Sequence, residues 1–324
     1  MGRGLHFLTV FAGAATLAAG TLHAQEAAAP PEPIHPQAHV AGWPDALQWN
    51  PMQGPEMQRG RSARAMLEER RRLDAALAGL QPQRAGTVDA YVVAIALDSD
   101  PVFAREAREA GNVLSRRYDA VGRTLVLAGP DGRSGGLPRG SISTLAVALA
   151  HIAEIIDPAE DVLVLYSTSH GIPQGLAYHD GDSGYGVLSP AYLGTMLGEL
   201  GFERRMLLLS ACYSGVFVPY LATHDTAIAT ASAADRTSFG CRADNDWTYF
   251  GDALVNNALR KPQGLAMAAE EARTSISEWE ARAGLMPSLP QVQIGEGARL
   301  WLRYLESRMP ATASEPVGRP AAGG

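Results

Sequence analysis

Five uninterrupted apolar runs constrain this chain more than any other feature. They are Val88–Leu97, Thr124–Ala128, Asp161–Ser167 (DVLVLYS), Arg205–Ala211 (RMLLLSA) and Thr226–Ala231 (TAIATA). A strand with one wet face alternates polar and apolar residues, whereas these runs are rich in Val, Ile, Leu and Ala throughout. That is the signature of strands buried on both faces, as in a parallel sheet covered by helices. Amphipathic stretches stand between them at Val102–Tyr118, Ser141–Ile156 and Pro190–Leu200, with Ser141 placed to cap its helix. Further helices are expected at Tyr249–Arg260, Leu265–Ala283 and Ala298–Glu306. Strand–helix alternation of these lengths predicts an α/β fold: a doubly wound, mainly parallel sheet with helices on both faces.

The flanks differ in character. Residues 1–24 carry one basic residue, Arg3, then an apolar stretch and a small residue at Ala24, the order expected of a signal peptide. A retained anchor is the alternative, and no later segment approaches the length of a membrane span. Export to a periplasmic or extracellular location is the expectation. Residues 25–85 begin with a Pro/Ala-rich arm and end in a basic amphipathic helix, Ser62–Leu80. Its Arg70, Arg71 and Arg72 read as a solvated face. The main domain is expected over 86–308, followed by a disordered tail over 309–324. The formal net charge is −7, without a basic run, which gives no support to a nucleic-acid partner.

In doubly wound sheets, functional groups collect beyond the carboxyl ends of the strands. The third run leads into Ser169-His170-Gly171, and the fourth into Ala211-Cys212-Tyr213-Ser214-Gly215. If those strands are neighbours, about 4.8 Å apart, the imidazole and the thiol share one rim. An imidazole beside a thiol can take its proton, and a helix beginning after Cys212 would favour the thiolate. The N–H groups of Gly171 and Cys212 could hold a carbonyl oxyanion. Such a set suits acyl transfer without a metal or cofactor. Taken singly, His170 also fits a structural hydrogen-bonder, Cys212 a packed thiol, and Cys212 with Cys241 a disulfide. The polar segment Tyr178–Gly184 lacks the spacing of a cation loop and reads as a turn flanking the cleft.

These strand ends resemble peptidase family C13, the legumain-like cysteine peptidases of the caspase-like fold, and in particular its bacterial branch. The likeness extends over roughly residues 88–295. It includes SHG, ACYSG, the block Thr230–Ser232 through Asp235–Cys241, and Thr248-Tyr249-Phe250-Gly251-Asp252. The resemblance implies a hemoglobinase-like three-layer α/β/α domain with a His170–Cys212 dyad and Gly171 in the oxyanion hole. It implies that Ser238 and Asp252 line the pocket for the residue before the scissile bond, with Arg105 a looser addition. Two positions depart from the family pattern. No Asn follows the first strand to orient the histidine; Asp98, Ser99 and Asp100 stand there instead. Ser210 replaces the pocket glutamate two residues before the cysteine, which weakens an implied preference for Asn. The resemblance further implies that Cys241 is a second, non-nucleophilic thiol.

The expectation is therefore an exported cysteine endopeptidase acting on peptides or proteins through an acyl-enzyme. Two alternatives stand beside it: an inactive binding or assembly module, and a transpeptidase or transamidase using the same dyad. The arm before residue 86 is long enough to cover the cleft.

Overall fold

The computed structural model describes residues 1–2, 56–129 and 136–322. All of the expected leader beyond residue 2, and all but the end of the Pro/Ala-rich arm, lie outside the described residues. In chain order the elements are β1 (Glu56–Gln58), α1 (Ala63–Ala78), β2 (Ala90–Ala96), α2 (Pro101–Arg117), β3 (Thr124–Leu127), α3 (Ile142–Ile155), β4 (Val162–Thr168), β5 (Gly171–Ile172), β6 (Gly175–His179), β7 (Gly184–Leu188), α4 (Pro190–Glu199), β8 (Arg205–Ser210), α5 (Val218–Leu221), β9 (Thr226–Thr230), α6 (Leu265–Arg282), β10 (Gln291–Ile294) and α7 (Glu296–Glu306).

The main sheet runs β10-β9-β8-β4-β2-β3. All pairs are parallel except β10–β9, which closes one edge antiparallel. Every residue of β2, β4 and β8 is buried, as the unbroken apolar runs require. Side chains of successive residues leave opposite faces of a strand, and here they enter two different cores. Ala90, Val92 and Ala94 of β2, with Val162, Val164 and Tyr166 of β4, pack on the side of α2, α6 and α7. Tyr91, Val93 and Ile95, with Leu163 and Leu165, pack on the side of α1, α3 and α4. Each fully buried aliphatic side chain contributes about 1.5–3 kcal/mol of transfer free energy. A sheet loaded on both faces is thus the only register in which all of them leave water. The three-layer α/β/α expectation holds.

Ser141 caps its helix as the sequence implies, and Ser189 caps α4 in the same way. Ser141 Oγ accepts the Thr144 N–H at 3.1 Å, and Ser189 Oγ that of Tyr192 at 3.2 Å. Arg70 pairs with Asp74 and Arg72 with Glu69 along the outside of α1, so the basic cluster is a solvated face.

Four local features differ from the sequence reading. A second sheet, β1-β7-β6-β5, rises between β4 and α4, and the segment read as a polar turn forms the arms and tip of its hairpin. The His179 N–H donates to Leu97 O, and the Ser99 N–H to His179 O, both at 2.9 Å, so β6 lies over the carboxyl end of β2. The short β10 was missed because QVQI is half-exposed and lacks an apolar run. The helix expected at Tyr249–Arg260 opens into a π-helical turn, Gly251–Asn257, where Asn257 Nδ2 donates to the Asp252 carbonyl at 2.9 Å. Finally, the tail expected to be disordered is fastened to the body. Trp247 Nε1 donates to Val317 O at 2.8 Å, and the Ala321 N–H donates to Asp252 Oδ2 at 2.7 Å. Composition alone could not reveal this, because the tail supplies backbone groups and its partners lie some seventy residues away. Among the described residues no helix is long and apolar enough to cross a membrane.

Candidate functional site

β4 and β8 are adjacent and parallel, with Thr168 opposite Ser210. The pairing continues past the strands, where the Ser169 N–H donates to Ser210 O at 3.2 Å. Two residues further on stand His170 and Cys212, so both belong to one rim of the sheet. The backbones meet there: a Cβ built on Gly171 would fall 1.9 Å from Cys212 O. Only glycine allows that approach. Immediately beyond, Tyr213 adopts a left-handed backbone at φ 57°, unusual for a bulky residue, and its N–H is held by Arg236 O at 2.7 Å. This sharp bend turns the chain just after Cys212, two residues beyond the end of β8. The helix expected to follow the cysteine is a short 3-10 turn, Ser214–Phe217, leading into the four-residue α5. Little helix dipole is therefore available to the sulfur.

Cys212 is buried, and its sulfur is clasped by one residue. The Ser238 N–H donates to Sγ at 3.2 Å, Sγ lies 3.5 Å from Ser238 O, and Ser238 Oγ is at 3.7 Å. Burial pushes the thiol up to about 11, reinforced by Cys241 and opposed by the Ser238 bonds. Both cysteines are free, so the disulfide alternative is not formed.

His170 turns toward other partners. Its Nε2 lies 3.5 Å from Asp100 Oδ2, and Phe103 packs edge-on against the ring with centroids 5.0 Å apart. Burial pulls the imidazole down, but Asp100 and the neighbouring Cys241 outweigh it, and Asp98 adds to them, raising the group to about 10. Asp100 is correspondingly lowered by its bond to His170. His170 Nδ1 has no hydrogen-bond partner among the described residues. One ring nitrogen is thus oriented by a carboxylate, while Cys241 stands beside the ring as a second partner.

The expected pocket residues divide. Ser238 lines a cleft of about 630 Å³ together with Cys241, Asp246, Tyr249, Arg319 and Ala321. Ser210 stands at the strand end, its hydroxyl 3.0 Å from Thr248 Oγ1. Asp252 is buried beneath the tail, its carboxylate taking Asn256, Asn257 and the Ala321 N–H. It therefore presents no open acceptor here. Arg105 is committed as well: it donates to Ala243 O at 2.8 Å and to Asn245 O, and lies 3.6 Å from Asp246.

Three nearby groups escaped the sequence reading. Asp100 was noted only as a neighbour of a missing Asn, although its position just before α2 was a usable signal. Cys241 was read as packed away, yet it adjoins His170. Glu106 is wholly buried on α2 and accepts from Tyr166 Oη at 2.6 Å, Thr168 Oγ1 at 2.7 Å and the Thr248 N–H at 2.8 Å. It ties β4 to the segment carrying Thr248, and no local pattern reveals a carboxylate whose donors come from two other elements.

No curated protein matches the chain. Among solved structures, a caspase-1 from Spodoptera frugiperda is similar at 11% identity and a TM-score of 0.42, covering 66% of this chain and 93% of that one. Residues 146–299 match the model of the Peptidase C13 family. That segment, which contains both His170 and Cys212, is similar to the peptidase C13 family.

Proposed function

We propose that the protein is an exported cysteine endopeptidase of the legumain type, with Cys212 as nucleophile and His170 as general acid and base. The observation that carries the reading is the β4–β8 register, which sets Gly171 backbone against Cys212 backbone at the carboxyl rim of the sheet.

The described state is a resting one. With the imidazole raised to about 10 and the thiol to about 11, both hold their protons at neutral pH. Release of the Ser238 clasp by an entering peptide exposes the sulfur and lets it approach the His170 ring. Next to an imidazolium and out of its apolar burial, a thiol gives up its proton to solvent far more readily, leaving a thiolate–imidazolium pair. The thiolate then adds to the scissile carbonyl, the Gly171 and Cys212 N–H groups receive the oxyanion, and His170 protonates the leaving amine. Water deprotonated by His170 completes hydrolysis of the acyl-enzyme. Asp100 acts as a positioning residue, holding Nε2 through both steps.

The test is incubation of purified protein with a mixed peptide library, wild type beside Cys212→Ala, with cut sites read by mass spectrometry. Cuts made by the wild type and absent from the variant are the expected result. A wild type that cuts nothing, and whose Cys212 stays unlabelled by iodoacetamide while the peptides are present, would leave an inert module as the better reading. The covered sulfur is the observation that favours that second reading.

A further inference from the structure

Asp98, Asp100 and His170 each present one ligand atom, and these atoms all lie within 4.8 Å of one another. The three come from the carboxyl ends of β2 and β4, which are hydrogen-bonded neighbours. Asp98 is the telling member. Its side chain has no exposure to solvent. One carboxylate oxygen, Oδ1, accepts the Asp100 N–H at 2.9 Å, while Oδ2 has no hydrogen-bond partner among the described residues. A carboxylate oxygen buried without a donor is costly unless a cation meets it. The polar cavity of about 40 Å³ that Asp98 lines with Ser99, Arg139 and His179 is a separate space, since neither Asp100 nor His170 lines it. His179 Nδ1 lies 3.6 Å from Asp98 Oδ1, beyond hydrogen-bond length and on the oxygen other than Oδ2, so Oδ2 stays without a donor among the described residues. Asp100, by contrast, is partly exposed and opens the cluster to solvent.

We propose that Asp98, Asp100 and His170 form a binding site for a borderline divalent cation of the zinc class. Two carboxylate oxygens and one imidazole nitrogen supply three ligands, with water in the fourth position of a tetrahedral set. The nitrogen ligand disfavours magnesium and calcium, which take oxygen. The two carboxylate charges balance the ion. Binding itself does not depend on the peptidase reading. Its consequence does: an ion on His170 takes the imidazole away from proton transfer, so the site acts as a reversible brake on Cys212.

The test uses the untagged full chain, stripped with a chelator and desalted, and titrated with zinc chloride against a chromophoric chelator. One zinc per chain is expected for the wild type. Asp100→Asn, a partly exposed position that leaves folding intact, is expected to weaken binding at least tenfold, and Asp98→Asn similarly if circular dichroism shows it folded. The double variant Cys212→Ala/Cys241→Ala is expected to bind within threefold of wild type. Equal affinity in wild type and Asp100→Asn, or loss of zinc in the thiol-free variant, would overturn the proposal. The titration reads metal without any peptide cleavage, so its failure and a failure of the peptidase assay are separate outcomes.

Discussion

At the scale of single residues, the rim is governed by how its two reactive groups are held. His170 is buried, oriented by Asp100 and raised to about 10. In metal-free protein, an NMR titration of its ring protons is expected to show a midpoint near 10, moving down in Asp100→Asn. If Asp100 only packs, that midpoint stays in place. In turnover, Asp100→Asn is expected to lower kcat on the order of tenfold to a hundredfold with KM little changed, since a mis-set imidazole loses part of the general acid–base contribution. Cys212 behaves in the opposite sense to a primed thiolate. Its sulfur is buried and capped, while Cys241 is partly exposed. Iodoacetamide at pH 7.5 is therefore expected to label Cys241 first, with Cys212 catching up as pH approaches 11. Peptide mass spectrometry after timed quenching measures this directly, and early labelling of Cys212 would mean the clasp is open in solution.

At the scale of elements, two close approaches deserve testing because they join β4 to β8 and the tail to the body. Gly171→Ala places a methyl 1.9 Å from Cys212 O, backbone that has nowhere to move. Overpacking of this kind costs about 3 kcal/mol or more, read as a lowered urea midpoint with the same m-value. The tail is a different case. A stop after Pro310 removes the Ala321 donor from Asp252 and the Val317 acceptor from Trp247. The freed groups recover part of their bonding from water, so a loss of about 1–2 kcal/mol is expected. An unchanged midpoint would show that the tail merely rests there.

At the scale of the whole molecule, stability should fall on the alkaline side. His170 is raised from 6.5 to about 10, so its contribution is complete below about pH 6.5 and disappears as pH rises through 10. Cys212, raised from 9.0 to about 11, adds a further loss between those values. Asp100 is lowered by the same pair, so its contribution is present above its unfolded value and lost in acid. In metal-free protein the urea midpoint is expected to decline from pH 6.5 upward, less steeply in Asp100→Asn. A flat alkaline limb would contradict the ion pair.

What the chain determines without its tertiary structure is the sheet and the rim. Five apolar runs without polar alternation can be buried only as doubly covered parallel strands, and SHG and ACYSG follow two of those runs directly, so their placement is a matter of chain continuity. Local caps such as Ser141 were legible for the same reason: donor and acceptor are three residues apart. The remaining features depend on groups far apart in sequence meeting in space. Ser238 caps the sulfur from twenty-six residues away, Asp100 reaches His170 from the end of another strand, and Ala321 closes over Asp252 from the C-terminal tail. Hydrogen bonds and charge pairs act over a few ångströms whatever the sequence separation, so no periodicity records them. The chain's order placed the imidazole and thiol on one rim; only the packed structure decided that the imidazole would face a carboxylate and the sulfur would be covered.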